Sequence, residues 1–198
     1  MIIGLEQEFF TVQDGKLVVC PAAVAHDGAG WLAEARGKTH LSVDGAVYSL
    51  LRFIRRLHQD AELCDVELDA APYMRVPVTV RNEARRHYVK DLHTERNLYG
   101  HERHRVGTTY GTAGIHVSIT RPEEVRNSDG VVMRTINTIW DYAAFIREMD
   151  AEFADEIKDA KRRPGFYDIH GDGRFEYRSL PTGIAPERLI TGIQSCRS

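Results

Sequence analysis

The stretch that most constrains the fold is residues 173 to 181, Gly-Arg-Phe-Glu-Tyr-Arg-Ser-Leu-Pro, in which charged and aromatic side chains alternate. In a β-strand, Arg174, Glu176 and Arg178 would share one face, and the two aromatic residues between them would share the other. A carboxylate between two guanidiniums suits a metal-bound polyphosphate, because the carboxylate can bind a hard cation while the arginines bind phosphate oxygens. A solvated sheet face with cross-strand ion pairs would show the same pattern.

The composition is that of a globular protein without a strong overall charge. The chain has 198 residues, with 26 Lys and Arg against 29 Asp and Glu, for a formal net charge of -3. This length suits a single domain over residues 1–198, and the charge balance gives no basic field that would attract nucleic acid. Cys20, Cys64 and Cys196 are widely separated in the sequence, so we expect reduced thiols.

The N-terminal residues do not resemble a signal peptide, because Glu6 and Glu8 occur where a basic region and a long apolar region would be needed. The sequence also contains no apolar run long enough to cross a bilayer. We therefore expect a cytoplasmic protein with no membrane partner.

Hydrophobic periodicity predicts a mixture of strands and helices. Strands are predicted at residues 2–12, 17–20, 64–70, 110–120 and 173–181, and helices at 44–57, 78–97 and 136–160. Residues 21–39 are predicted to form a loop with one short helical turn near 31–36. Because polar and apolar residues alternate in the predicted strands, we expect a sheet with one polar face and an α+β architecture.

Two of the predicted strands are acidic. Glu6 and Glu8 are two residues apart and would share a face, and Glu67 lies at the centre of a second acidic strand, Asp-Val-Glu-Leu-Asp. Carboxylates held this close raise each other's pKa unless a cation lies between them. An exposed edge strand would explain either pattern alone.

His116 adds a nitrogen ligand to this set of carboxylates. Its neighbours on the same strand face, Gly114 and Ser118, are small enough to leave room for a ligand. A single strand histidine is more often structural, but a set of several carboxylates and one histidine suits Mg²⁺ or Mn²⁺, and the arginines suit ATP phosphates. The sequence has neither a P-loop nor a convincing dinucleotide-binding motif.

Several motifs occur in a particular order along the chain. They are Gly-Leu-Glu-Gln-Glu at 4–8, Val-Glu-Leu-Asp at 66–69, Gly-Ile-His-Val-Ser at 114–118, Arg162-Arg163, and Arg-Phe-Glu-Tyr-Arg at 174–178. In this order the sequence resembles the carboxylate-amine ligases, or amidoligases, of the glutamine synthetase and glutamate-cysteine ligase superfamily, and most closely their short bacteriophage members. The resemblance implies a glutamine synthetase-like catalytic domain: a curved, mostly antiparallel sheet with helices packed on one face and ATP and metal ions on the other.

The resemblance also implies roles for individual residues. One Mg²⁺ or Mn²⁺ would be bound by Glu6, His116 and Glu176, and a second by Glu8 and Glu67. Arg174 and Arg178 would contact the nucleotide phosphates and the transferred phosphoryl group, with Arg162, Arg163 and Ser118 as further nucleotide-binding candidates. Larger relatives often have a second histidine where this chain has Ser118. Relatives also usually continue further, so a shortened domain or a homo-oligomer that completes the site is one expectation.

The implied reaction joins a carboxylate to an amine. ATP would activate the carboxylate as an acyl phosphate, which the amine would attack to give an amide, ADP and phosphate. The substrates would be small molecules or peptides, with nucleic acid a partner only as a modified base, and a phage-encoded protein would work in the host cytoplasm. Selectivity is expected in the loops at 21–39 and 101–105. A metal-dependent hydrolase that uses the same cluster, and an inactive binding or structural protein of the same fold, are the alternatives.

Overall fold

The computed structural model describes residues 1–26, 30–87, 96–100, 110–137 and 140–196. The strands are β1 (Ile2–Gln13), β2 (Lys16–Leu17), β3 (Leu32–Arg36), β4 (Glu67–Asp69), β5 (Tyr73–Arg75), β6 (Arg96–Asn97), β7 (Tyr110–Thr112), β8 (Gly114–Thr120), β9 (Pro122–Arg126), β10 (Val132–Asn137), β11 (Phe166–Ile169) and β12 (Phe175–Pro181). The helices are α1 (Val43–Leu63), α2 (Val78–His87), α3 (Tyr142–Glu152), α4 (Ala154–Asp159) and α5 (Pro186–Ser195).

The largest sheet has the strand order β2-β1-β8-β12-β11-β6, and β3 and β4 also pair with β1. Two smaller sheets consist of β9 with β10 and of β5 with β7. Every pairing between these strands is antiparallel in the part of the chain that the structure describes. The architecture is therefore α+β, as the alternating strands predicted, and the sheet is mostly antiparallel.

The large sheet has one apolar face and one polar face. On β8, Ile115, Val117 and Ile119 are buried in the main core, whereas His116 between them belongs to the other face. On β12, Tyr177 is fully buried in the same core. The alternation in these strands therefore has the cause that the sequence suggested, because one face packs against helices while the other carries charge.

Helices α1, α3, α4 and α5 cover the apolar face. Ser42 caps α1, its hydroxyl accepting a hydrogen bond from the Gly45 amide at 3.1 Å. Leu50 of α1, Met149 of α3 and Ile193 of α5 are all buried in the main core together with the strands. Burying this apolar surface is the main force that holds the helices against the sheet.

Helix α2 occupies a different position. Its Val80 belongs to a second cluster of buried residues with Phe10 of β1 and Leu32 of β3. Phe10 lies an even number of residues from Glu6 and Glu8, so this cluster adjoins the polar face of the sheet. The expected fold has helices packed on one face; α2 differs, because its Val80 packs with Phe10 on the side of the polar face. None of the helices in the described ranges is both long and apolar enough to cross a membrane.

Three sequence predictions of secondary structure were wrong in part. Residues 31–36 form no helical turn, because Leu32–Arg36 pairs with β1 and tertiary pairing outweighs the helix preference of Leu-Ala-Glu-Ala-Arg. The single helix predicted at 136–160 is two helices, α3 and α4, and its first two residues belong to the end of strand β10. The helix predicted at 78–97 does not reach its expected end, since Arg96–Asn97 is strand β6; residues 88–95 lie outside the described ranges.

Candidate metal and phosphate site

Three neighbouring strands, β1, β8 and β12, carry the charged residues of the polar face. Antiparallel pairing places Glu6 of β1 directly opposite His116 of β8, and Ser118 of β8 directly opposite Glu176 of β12. Residues opposite each other on neighbouring strands have side chains on the same face. The alternation in sequence and the order of the strands together therefore bring these groups to one place.

Glu6, His116 and Glu176 form a compact group of ligand atoms. The Nδ1 atom of His116 lies 3.1 Å from Oε1 of Glu176 and 3.9 Å from Oε2 of Glu6. One ligand atom from each residue lies within 4.8 Å of the other two. Ligands of one cation, each about 2.1 Å from it, lie about 3 to 4 Å apart, so this group fits a divalent metal ion. Two carboxylates and one imidazole are also a chemically suitable donor set.

Both arginines of β12 adjoin this group. Arg178 donates a hydrogen bond from Nη1 to Oε1 of Glu176 at 2.9 Å. Arg174 donates from Nη1 to the Ser118 hydroxyl at 2.9 Å, and the same nitrogen lies 3.8 Å from Oε1 of Glu6. Each guanidinium has several donors in a planar fork, so an arginine that binds a carboxylate can also bind an oxyanion. The site therefore combines metal ligands with cationic donors.

Glu8 lies on the opposite side of the histidine ring. Its Oε1 is 3.8 Å from Nε2 of His116, and its Oε2 accepts a hydrogen bond from the Gly114 amide at 2.8 Å. Glu8 is almost completely buried. Glu6 and Glu176 face Nδ1 of His116, whereas Glu8 faces Nε2. A carboxylate beside Nε2 would orient the imidazole ring.

Glu67 does not join this group. It is exposed and pairs with Val12, four residues along β1 from Glu8. Four residues of strand correspond to a separation of about 13 Å. The structure thus brings Glu8 to the histidine and leaves Glu67 beyond direct contact with it.

Two residues of the site were missed by the sequence analysis. Glu34 of β3 lies opposite Glu8 and is buried, and its carboxylate accepts a hydrogen bond from Nε of Arg36 at 2.8 Å. His170 lies in the turn before β12, with Nε2 only 2.6 Å from Oε2 of Glu176. Glu34 lay in a segment predicted to be a loop, and no strand was predicted before the turn that holds His170. The signal in the sequence for Glu34 is the alternation of apolar and charged residues in Leu-Ala-Glu-Ala-Arg, which is compatible with a strand.

Arg162 and Arg163 follow α4. Arg162 donates to three backbone carbonyls: from Nε to Ser179 at 3.1 Å, from Nη1 to Ala113 at 2.8 Å and from Nη2 to Arg178 at 2.7 Å. Arg163 is half-buried. The guanidinium of Arg162 is thus directed at the backbone of β12 and of the residue before β8.

The carboxylates control the protonation of His116. Burial and the Arg178 charge lower the pKa of His116, but the surrounding carboxylates outweigh both and raise it to about 10. Burial would raise the pKa of Glu176, but the hydrogen bond from His116 and the nearby positive charges hold it well below its usual range. Without a metal ion, a proton on His116 therefore compensates the negative charge of the site.

The pKa of Glu34 is raised, whereas that of Glu176 is lowered. Burial, reinforced by the charge of Glu6, raises the pKa of Glu34 to about 8. For Glu6, burial would raise the pKa, but hydrogen bonds from His116 and Glu34 outweigh it and lower the value. Glu34 therefore carries a proton at neutral pH and donates it toward Glu6, in spite of its contact with Arg36.

No protein-family model matches the sequence, and no curated protein is significantly similar to it. Functional inference therefore depends on the chemistry of the site. The described residues provide a group that could hold a metal ion, two adjacent arginines, and a buried network of carboxylates around one histidine. Ionisable groups with strongly shifted pKa values gathered in this way are typical of functional sites.

Proposed function

We propose that this protein is an ATP- and Mg²⁺-dependent carboxylate-amine ligase with a glutamine synthetase-like catalytic domain. The observation that carries the proposal is the convergence of Glu6, His116 and Glu176 with two arginines on one face of an antiparallel sheet. These residues belong to the motifs that resemble those of the amidoligases, and their order along the chain is part of that resemblance. The mostly antiparallel sheet supports the same class.

In this proposal Glu6, His116 and Glu176 hold Mg²⁺ or Mn²⁺. The bound cation would supply positive charge that neutralises the phosphate oxygens of ATP. Arg174 and Arg178 bind phosphate oxygens on the same face, and their fixed guanidiniums stabilise the charge that develops as the phosphoryl group is transferred. Glu8 orients the His116 ring, and His170 holds the second oxygen of Glu176.

The proposed reaction has two steps. An oxygen of the substrate carboxylate attacks the terminal phosphorus of ATP, so that an acyl phosphate and ADP form. The amine nitrogen then attacks the acyl carbon, the C–O bond to phosphate breaks, and the products are an amide, inorganic phosphate and a proton. Two arginines beside the metal ligands suit the phosphates of a nucleotide, and they support a ligase over a metal-dependent hydrolase, because a hydrolase that activates water has no need to bind nucleotide.

The proposal is tested by measuring ADP formation with pooled carboxylates and amines, and by identifying the amide by mass spectrometry. ADP should form in more than one equivalent per protein only when Mg²⁺, a carboxylate and an amine are all present, because the amine is needed to consume the acyl phosphate. Glu176→Gln should reduce turnover by about 100-fold or more, since it weakens the metal centre and the Arg178 contact together. Glu124→Gln, on the exposed face of β9, is the control that should keep full turnover. Equal turnover in both variants would exclude the site, and cleavage of a substrate without nucleotide would favour the hydrolase.

A further inference from the structure

The side chain of Arg162 holds an irregular part of β12. Pairing between β8 and β12 shifts in register between Tyr177 and Leu180: Tyr177 lies opposite Val117, whereas Leu180 lies opposite Ile115. Three steps along β12 therefore match two steps along β8, which is a β-bulge. The carbonyls of the two residues within this bulge, Arg178 and Ser179, both accept hydrogen bonds from Arg162.

The bulge determines where the Arg178 side chain lies. Arg178 is the first residue after the regular pairing ends, and its Nη1 donates to Glu176 at 2.9 Å. Its own carbonyl is fixed by Nη2 of Arg162 at 2.7 Å. Bulges redirect side chains and are stabilised by contacts to their unpaired backbone groups, and the hydrogen bond from Arg162 to the Arg178 carbonyl is such a contact.

A second contact of Arg162 leads to the other side of the site. Nη1 donates to the Ala113 carbonyl at 2.8 Å, and the N–H of the same peptide group, that of Gly114, donates to Glu8 at 2.8 Å. Glu8 in turn faces Nε2 of His116 at 3.8 Å. One peptide group thus connects the guanidinium to the carboxylate that adjoins the histidine.

Gly114 makes this approach possible. A Cβ atom at this position would lie 2.8 Å from Nη2 of Arg162 and 2.9 Å from the Leu180 carbonyl, so any side chain would displace one of them. The need for glycine here is one of space, because the arginine passes directly over the backbone of β8.

We propose that Arg162 is a positioning residue of the metal and phosphate site: its planar guanidinium sets the β12 bulge and the Ala113–Gly114 peptide, and so aligns Arg178 with Glu176 and Glu8 with His116. Only the side chain of arginine has donors in a plane wide enough to reach three carbonyls at once. Arg162 therefore acts on the site through the backbone of β12 and of the Ala113–Gly114 peptide. This inference rests on the metal centre of the proposed function.

The test measures Mn²⁺ affinity by electron paramagnetic resonance, well below the unfolding temperature of each variant. Arg162→Lys retains the charge but cannot span three carbonyls, so Mn²⁺ should bind about tenfold more weakly; Arg162→Gln should weaken binding by about 10- to 100-fold. If Arg162→Gln does not fold, the test uses Arg162→Lys alone, because lysine can still donate a hydrogen bond to one carbonyl of the bulge. The signal of bound Mn²⁺ should also change, which a loss of stability alone would not cause.

The matched control is Arg188→Gln. Arg188 likewise makes several hydrogen bonds, to Glu152 and Glu156 on the helical side of the sheet, so its loss tests the effect of reduced stability. This variant should bind Mn²⁺ as the wild type does. Wild-type affinity in both Arg162 variants, or an equal loss in Arg188→Gln, would overturn the inference while leaving the metal centre intact. A wild-type protein that binds no Mn²⁺ would instead overturn the proposed function, and the inference with it.

Discussion

Individual residues of the polar face are buried although they are charged. Glu8 and Glu176 are buried carboxylates, and taking such groups out of water is costly unless cations and hydrogen bonds compensate them. Arg178 and a protonated His116 supply that compensation for Glu176. A sheet face that served only solubility would place these charges in water, so their burial favours a binding function.

The raised pKa of His116 has a consequence for metal binding. At pH 7 its imidazole is protonated, because its pKa is about 10, and a metal ion requires the neutral ring. Binding of Mn²⁺ at pH 7 should therefore release about one proton. Isothermal titration calorimetry in two buffers with different ionisation enthalpies measures this number. Heats that do not depend on the buffer would show that His116 is not deprotonated, and His116→Gln should abolish most of the affinity.

Glu34 should make the metal-free protein less stable as the pH rises. Its pKa is about 8 in the folded protein against an ordinary value of 4.5, so between these values only the folded state holds the proton. The stabilisation is complete below pH 4.5 and is lost as the pH rises to about 8. Glu34→Gln, which imitates the protonated side chain, should remove this part of the pH dependence. Urea unfolding at pH 5 and pH 8, with chelator, compares the two proteins; parallel pH curves would contradict the assignment.

At the scale of elements, one buried carboxylate joins the sheet to helix α3. Asp150 accepts hydrogen bonds from the Tyr177 hydroxyl at 2.6 Å, the Gly165 amide at 3.0 Å and the Tyr99 hydroxyl at 2.9 Å. It therefore links α3 to β12 and to the segment that precedes β11. Because β12 also carries Glu176, this link joins α3 to a strand of the candidate site.

Asp150→Ala should lower the free energy of unfolding by about 3 kcal/mol, since it leaves the buried Tyr177 hydroxyl and the Gly165 amide without this acceptor. Tyr99→Phe is the control: it removes one bond from a ring that is 44% exposed and should cost about 1 kcal/mol or less. Urea denaturation gives both values. A similar cost for the two changes would show that Asp150 does not anchor β12.

The sequence predicted those elements whose faces differ most in polarity. The alternation over residues 114–120 and 175–177 correctly indicated strands, and the apolar stripe of α1 correctly indicated a helix. Strand β3 was missed because its five residues favour a helix and become a strand only by pairing with β1. Strand β10 was missed because its last residues continue the apolar spacing of the helix that follows.

At the scale of the whole molecule, strand pairing decides which candidates meet. Alternation within single strands predicted that Glu6 and Glu8 share a face, and likewise Arg174, Glu176 and Arg178, before any pairing was known. The partners of these strands could not be predicted in this way, because the register between distant segments depends on the packed core. Glu34 and His170 therefore emerged only in the folded chain.

Strand pairing also places Glu8 and Glu67 at different distances from His116. Both were candidate ligands of a second metal ion, but only Glu8 adjoins His116, at 3.8 Å. Glu8→Gln should therefore weaken Mn²⁺ binding by about tenfold, whereas Glu67→Gln should leave it within twofold of wild type. Titration calorimetry of the two variants compares residues of the same type on the same sheet. An equal loss in both would contradict the register of β4.

The most direct test of the account is a crystal structure of the protein with Mn²⁺ and a non-hydrolysable ATP analogue, with the metal located by its anomalous scattering. The account predicts an anomalous peak bounded by Glu6, His116 and Glu176, with phosphate oxygens of the analogue in contact with Arg174 and Arg178. A metal bound elsewhere, or a nucleotide whose phosphates do not contact these arginines, would contradict it.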